Sequence, residues 1–257
     1  MEIFLKESLY NLHEKIEKKH WWFTARREII GGVLFRIAPP SKVKTLINVG
    51  CGTGADLSYL SQSYRCIGLD ASSSAVVAAQ RCAPNSQIIL GSSANALPKR
   101  QEGESRVWLF LDVLEHIEDE RNLFSNFACE MGSGEIAIIT VPANPSLWSS
   151  HDVSFGHYRR YTVETLTNIW AKLPFEVLLL SYFNTRLYPL IWLIRNIDIK
   201  LGKTAGQEET DFQLLPSLLN TILHKIFSGE HKRMLGILDG GSAYKYGTSL
   251  IAVLTRI

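Results

Sequence analysis

From residue 43 onward the chain repeats one pattern. A short run that is apolar on both faces is followed by a longer stretch with apolar positions three or four apart. The short runs are "VKTLINVG" (43–50), "YRCIGLDAS" (64–72), "SQIILGS" (86–92), "VWLFLDV" (107–113), "GEIAIITVP" (134–142) and "FEVLLLSYFN" (175–184). Rich in branched aliphatic residues, they predict strands buried on both sides. The longer stretches are "GADLSYLSQS" (54–63), "SAVVAAQRCA" (74–83), "ERNLFSNFACEMG" (120–132) and "TVETLTNIWAKL" (162–173), which predict helices. Strands that alternate with helices in this way predict an α/β, doubly wound, mostly parallel sheet with helices on both faces.

Two regions depart from the rhythm. Residues 2–19 predict a polar amphipathic helix, and "HWWFTARREIIGGVLFRIA" a second helix ended by Pro39 and Pro40. Together, residues 1–38 are expected to form an N-terminal helical cap on a core of residues 43–184. Residues 185–243 are expected to be a helical insertion, in which "TRLYPLIWLIRNI" and "LPSLLNTILHKIFSGEHKRML" flank the polar stretch "KLGKTAGQEETDF". Residues 244–257 then supply a last strand, "YGTSLIAVLTRI". All of this is expected to be one domain.

Composition narrows the field. A net charge of +2 gives no case for nucleic acid as partner. Cys51, Cys66, Cys82 and Cys129 show no CxxC pairing, which argues against a disulfide framework or a zinc site and fits a reducing cytosol. The N-terminus lacks the apolar core of a signal peptide, and no 18-residue stretch is free of charged and strongly polar residues.

Chemistry enters at "TLINVGCGTGADL" (45–57), where a strand runs straight into Gly50, Gly52 and Gly54. Glycines there let the backbone approach a ligand closely, and the next helix offers free N–H groups. Asp70, twenty residues past Gly50, closes the next strand. A carboxylate at that place typically receives the two ribose hydroxyls of an adenosine. The turn is therefore expected to cradle an adenosine-containing cofactor.

"LINVGCGTG" resembles the first motif of the class I S-adenosylmethionine-dependent methyltransferases, with Asn48 where that motif usually has Asp. "FLDVLEHIEDE" (110–120) is similar to the family's fourth-strand signature, and "GEIAIITVPA" to its fifth strand. "FEVLLLSYFN" and "YGTSLIAVLTRI" resemble its sixth and seventh strands. The resemblance implies a Rossmann-like seven-stranded sheet with an antiparallel last strand, and S-adenosyl-L-methionine as cofactor. It implies that Gly50, Cys51, Gly52 and Gly54 line the methionine and ribose portions and that Asp70 binds the ribose. Ala71 would lie against adenine, with Ser93 and Ala94 in the adenine loop, where Ser93 replaces the usual Asp. Leu111 and Asp112 would face the methionine end. "HWWFTARREII", "VPANPSLWSSHDVSFGHYRRYT" and "SYFNTRLYPL" further resemble a bacterial subgroup of these enzymes.

Methyl transfer needs a nucleophile aligned with a sulfonium carbon and water excluded. Aromatic faces favour the sulfonium, which makes Trp21 and Trp22 candidates or else core anchors. Arg26 is expected to meet the cofactor carboxylate. Residues 142–161, after the fifth strand, are expected to hold the acceptor. They carry Trp148, His151, Asp152, His157, Tyr158, Arg159, Arg160 and Tyr161. His151 is the first candidate for a general base and His157 the second, with Tyr158 beside them. Trp148, Arg160, Tyr161 and His116 are candidates to line the acceptor pocket; the alternative is that the loop's histidines and arginines pin it. The five residues between the two loop histidines match no metal pattern, so no metal is expected.

The expected function is methyl transfer to a small-molecule acceptor, with a hydroxyl preferred over an amine because of the histidines. Glycosides, lipid-linked molecules and natural products fit equally. Two rivals stand beside it: an NAD(P)-dependent oxidoreductase and a non-catalytic cofactor-binding protein. No Tyr is followed four positions later by Lys, which counts against the oxidoreductase. The insertion reads as a lid or homodimer surface, or as a contact for a membrane surface, and a monomer is equally compatible with the sequence.

Overall fold

In the computed structural model, residues 14–40, 44–200 and 214–257 are described. All of the expected strands form. They are β1 (Lys44–Val49), β2 (Arg65–Asp70), β3 (Gln87–Leu90), β4 (Ser105–Leu111), β5 (Ile136–Pro142), β6 (Phe175–Phe183) and β7 (Ser249–Arg256). They make one sheet in the order β3-β2-β1-β4-β5-β7-β6. The first five are parallel, and β7 runs antiparallel to both β5 and β6. Strand order reverses between β1 and β4, which makes the carboxyl edge there the natural crevice for a ligand.

The helices follow in turn: α1 (Trp21–Ile37), α2 (Ala55–Leu60), α3 (Ser73–Cys82), α4 (Glu120–Cys129), α5 (Ser150–Ser154), α6 (Val163–Thr167), α7 (Tyr188–Lys200), α8 (Ser217–Ser228) and α9 (His231–Leu238). Burial explains why the strands read as continuous apolar runs. On one face Leu46, Leu109, Ile138 and Val253 pack with Ile29, Leu34 and Phe227. On the other, Ile47, Trp108, Phe110 and Ile139 pack with Phe124, Phe127, Leu166 and Trp170. Adjacent positions of one strand thus enter different cores.

The structure differs from the expected elements in four places. The helix expected over 162–173 ends at Thr167. The helical run expected over 215–235 breaks at Gly229 into α8 and α9, where buried Glu230 turns inward to accept from the Thr185 and Arg186 N–H groups, both at 2.8 Å. The segment after β5 carries a short helix, α5, started by a Ser149–Asp152 capping box. The last strand begins at Ser249 rather than Tyr246. Most of the expected 2–19 helix and all but Lys200 of the polar stretch 200–212 lie outside the described residues.

The insertion packs on the cap. α8 docks on α1, where Asn220 accepts from the Trp21 N–H at 2.9 Å and Trp21 lies edge-on to Phe227. His224 faces Glu28 at 3.1 Å, and Arg36 pairs with Asp239 at 2.7 Å. No helix among the described residues is long and apolar enough to cross a membrane.

One feature marks the carboxyl edge. Among the described residues, three non-glycine residues have positive φ: Asp112 (53°), Asn144 (68°) and Asn184 (53°). They follow the ends of β4, β5 and β6. Each turns the chain sharply out of the sheet at the edge where a ligand belongs.

Candidate active site

The glycine turn is held by the strand beside it. Leu69 O accepts from the Gly50 and Cys51 N–H groups at 2.8 and 3.0 Å. Gly50, Gly52 and Gly54 all have positive φ. A Cβ on Gly50 would fall 2.4 Å from Val113 Cγ2, and one on Gly54 would fall 2.9 Å from the Ala79 backbone. A Cβ on Gly52 would meet nothing within 4 Å, so the turn is open there. Gly54→Ala combines left-handed backbone strain with overpacking, and is expected to cost about 2–4 kcal/mol of stability in urea unfolding. A loss below about 1 kcal/mol would mean that α2 shifts away from α3.

Asp70 closes the turn. Its two oxygens accept from the Gly52 and Ser72 N–H groups, both at 2.9 Å. Burial raises its pKa above the ordinary carboxylate value, and these two bonds only partly offset it. Ala71 follows it, and Ser93 leads into a tight turn over Ala94–Ala96 next to β3. Cys51 is buried, which pushes its thiol well up and leaves it unreactive.

Arg26 lies at the heart of the cap. Its Nη1 donates to Asp56 Oδ2 at 3.0 Å, and its Nε lies 2.7 Å from Asp112 Oδ2. Burial works against its charge, but Asp112 and Asp56 outweigh it and hold the guanidinium firmly ionised. The guanidinium stacks over the Trp22 ring, 5.3 Å from its centroid. Arg26, expected to meet a cofactor carboxylate, is thus engaged by two carboxylates of the chain itself. Arg27 shares Asp56 at 3.1 Å. Thr53, in the glycine turn, donates its hydroxyl to Glu17 just ahead of α1. The cap is therefore pinned directly to the cofactor turn, through Glu17 and Asp56, neither of which stands out in the sequence.

On the other side of the edge, Asp152 is a hub. Its Oδ1 accepts from Arg160 Nε at 2.8 Å and faces His157 Nδ1 at 2.9 Å. Its Oδ2 accepts from the Ser149 N–H at 2.8 Å, with Arg195 of α7 at 3.8 Å. Burial alone would raise this carboxyl. The His157 bond and Arg160 outweigh burial and hold it far below the usual range. Arg195 also bonds Ser149 Oγ at 2.7 Å, so the insertion reaches the same hub.

His157 therefore has Nδ1 engaged by a buried carboxylate, which leaves Nε2 as its other site. Its ring stands edge-on to His116 at 4.7 Å between centroids. Glu115 precedes His116 in the turn after β4. It is fully buried, and its Oε2 has no hydrogen-bond partner. Burial, and then the neighbouring Asp112, push its carboxyl well above the ordinary value. One ligand atom each from Glu115, His116 and His157 lie within 4.8 Å of one another. Glu115 stands in the quoted "FLDVLEHIEDE", yet only burial distinguishes it from its acidic neighbours there.

The remaining candidates from the segment take up other places. His151 is buried beside Phe155, and burial draws its pKa down to about 3. Arg160 also donates to Ala143 O at 3.1 Å, and Arg159 is anchored by Glu120 and by Glu118 O. Tyr161 lies inside the second core. Tyr158 donates its N–H to Glu115 O at 2.8 Å, which ties the segment to the β4 turn. Trp148 is exposed. Leu111 ends β4 inside the first core, next to Asp112.

The His151 shift has a measurable consequence. The unfolded chain takes up this proton below the ordinary value of 6.5, the folded chain only near 3. Stability from this group is whole above about pH 6.5 and falls on acidification, with a slope approaching ~1.4 kcal/mol per pH unit. Urea unfolding between pH 7 and 4 checks it: His151→Phe is expected to flatten the slope by up to one proton. Equal slopes would assign the acid loss to other groups.

Comparison with known proteins adds to this geometry. Residues 7–180 match the profile of a family described as a methyltransferase domain. Among solved structures, the plantazolicin methyltransferase BamL, in complex with a triazolic desmethylPZN analog and SAH, is 13% identical. The match covers 97% of this chain and 90% of that one, with a TM-score of 0.57. A SAM-dependent methyltransferase from Archaeoglobus fulgidus is 16% identical over 90% of this chain and 94% of that one, with a TM-score of 0.53. The [4+2]-cyclase SpnF is 14% identical over 91% and 83%, with a TM-score of 0.56. At such identities these likenesses show the fold, which carries more than one reaction. A search of the curated proteins finds no match.

Proposed function

Since the chain belongs to the methyltransferase-domain family, we propose that it transfers a methyl group from S-adenosylmethionine to a hydroxyl of a small molecule. The observation that carries the hydroxyl is the His157–Asp152 pair. An amine acceptor needs only to be neutral, whereas a hydroxyl has to lose its proton. A histidine whose Nδ1 faces a buried carboxylate presents Nε2 as a lone pair, and that is what a hydroxyl acceptor requires. His157 therefore takes precedence over His151, whose depressed pKa makes it a weak base at neutral pH.

The residues of the glycine turn fit the cofactor. Gly52 leaves open space where any other residue would place a side chain. Each oxygen of Asp70 holds one backbone donor and keeps a lone pair for a ribose hydroxyl. Bound there, S-adenosylmethionine supplies an electrophilic methyl carbon on a sulfonium. The chain's part is to hold the acceptor oxygen in line and to strip its proton. That oxygen then forms the new C–O bond as the C–S bond breaks, with the electron pair returning to sulfur. Arg26 keeps the cap closed over the turn, so that water is excluded.

Calorimetric titration with S-adenosylmethionine, S-adenosylhomocysteine and NAD(H) tests the cofactor. Binding of the two sulfur nucleotides alone is expected, and binding of NAD(H) alone would overturn the reading. Asp70→Ala is expected to weaken cofactor binding by about 1–3 kcal/mol, the scale of lost charged hydrogen bonds. A screen of paired hydroxyl and amine acceptors, read by S-adenosylhomocysteine release, then tests the acceptor. Turnover confined to amines would remove the need for His157.

A further inference from the structure

We propose that Glu115, His116 and His157 bind a divalent ion of the zinc type, on which the acceptor hydroxyl ionises. The sequence gave no reason to expect a metal, because the loop histidines alone match no ligand spacing. The fold supplies what spacing does not: the turn after β4 brings a glutamate and a histidine to His157. One carboxylate oxygen and one nitrogen from each ring lie within 4.8 Å of one another. A tetrahedral ion with bonds of about 2.0–2.1 Å sets its ligands roughly 3.4 Å apart, so modest side-chain movement closes the site.

Three further observations point to a ligand rather than to a chance cluster. Glu115 is 1% exposed, and its Oε2 has no partner. A buried carboxylate oxygen left unpaired is costly, and a cation would satisfy it. Arg26, the nearest guanidinium in charge terms, is already shared by Asp56 and Asp112. His157 Nδ1 faces Asp152, an arrangement that fixes the tautomer of metal-binding histidines and raises their basicity. Asp152 is itself held by Arg160 and the Ser149 N–H, so this outer shell is rigid.

Two histidines and one carboxylate leave coordination positions open, as catalytic rather than structural sites do. An acceptor hydroxyl bound in an open position has its pKa lowered, as bound water does, and releases its proton to solvent. The role of the ion rests on the hydroxyl-acceptor reading above; its binding does not.

The first test uses Zn2+ or Co2+ alone, added to the chelator-treated protein and followed by calorimetry and by the cobalt absorption spectrum. One equivalent is expected to bind. Glu115→Gln, His116→Asn and His157→Asn are each expected to weaken binding at least tenfold, with circular dichroism checking their fold. Asp152→Asn, which touches only His157, is expected to weaken it about 10–100-fold. A Cys129→Ser background removes the exposed thiol as an alternative ligand. No stoichiometric binding, or binding that these variants leave unchanged, overturns the site. Where an active hydroxyl acceptor is in hand, stripping the metal is expected to abolish transfer and Co2+ to restore it. Full transfer by the stripped protein would overturn the metal's role and leave the hydroxyl reading standing. Metal bound as expected with turnover on amines alone would sink that reading and this role together, with the binding site intact.

Discussion

Arg26→Ala is expected to destabilise the protein by about 3–5 kcal/mol, because it strips the counter-charge from buried carboxylates. The side chain is only 6% exposed, and it holds Asp56 and Asp112 at once. Arg27 still pairs with Asp56, so the orphaned charge is chiefly Asp112. Asp112 has nowhere to turn: it sits at positive φ, with its N–H bonded to Thr140 O at 2.9 Å. Two results separate this from simple loss of packing. Arg26→Met, which keeps most of the stem, is expected to do no better than alanine. The double variant Arg26→Met with Asp112→Asn is expected to recover a substantial part of the loss. Urea denaturation at pH 7 measures all three, and a loss below about 1 kcal/mol would show that water screens the pair.

Removal of the His157 imidazole has the second large effect, and it is expected in turnover. His157→Asn is expected to lower kcat on a hydroxyl acceptor by about 10²–10⁴, the range for a positioned proton acceptor. Binding of S-adenosylhomocysteine should stay within about twofold, because Asp70 and the glycine turn lie across the edge from His157. Asp152→Asn acts through His157, and also leaves Arg160 without its carboxylate. It is therefore expected to lower both kcat and stability, where His157→Asn lowers mainly kcat. A fall in cofactor affinity that matches the fall in kcat would move His157 out of the chemistry and into the scaffold.

The two halves of this site differ in how openly the sequence shows them. β1, the glycine turn and Asp70 are local: strand, turn and next strand end follow within some twenty residues, and each carries its own signal. The strands are legible because both faces are buried, so their apolar runs are unbroken. The acceptor side is tertiary. α5 spans only five residues and has no apolar period, and its one cue is a capping box hidden in a polar stretch. Asp152 looks like any loop aspartate until Arg160, Arg195 and His157 converge on it from different places in the chain. Arg26 illustrates the converse. Its residue type suggested a ligand contact, yet Asp56, thirty residues away, and Asp112 claim it.

The positive-φ residues at the ends of β4, β5 and β6 bear on how this enzyme can change. Asn144 and Asn184 each place a side-chain amide on a neighbour, Tyr188 Oη at 3.1 Å and Thr248 Oγ1 at 2.8 Å. Asparagine tolerates such backbone and at the same time braces it. The exits from the sheet are thereby fixed independently of what the segments beyond them contain. A lineage can then replace Trp148, Tyr158 or the helices of the insertion without disturbing the cofactor turn. Diversification of acceptors on this scaffold should thus proceed by exchanging the segments between these braces, while the braces persist.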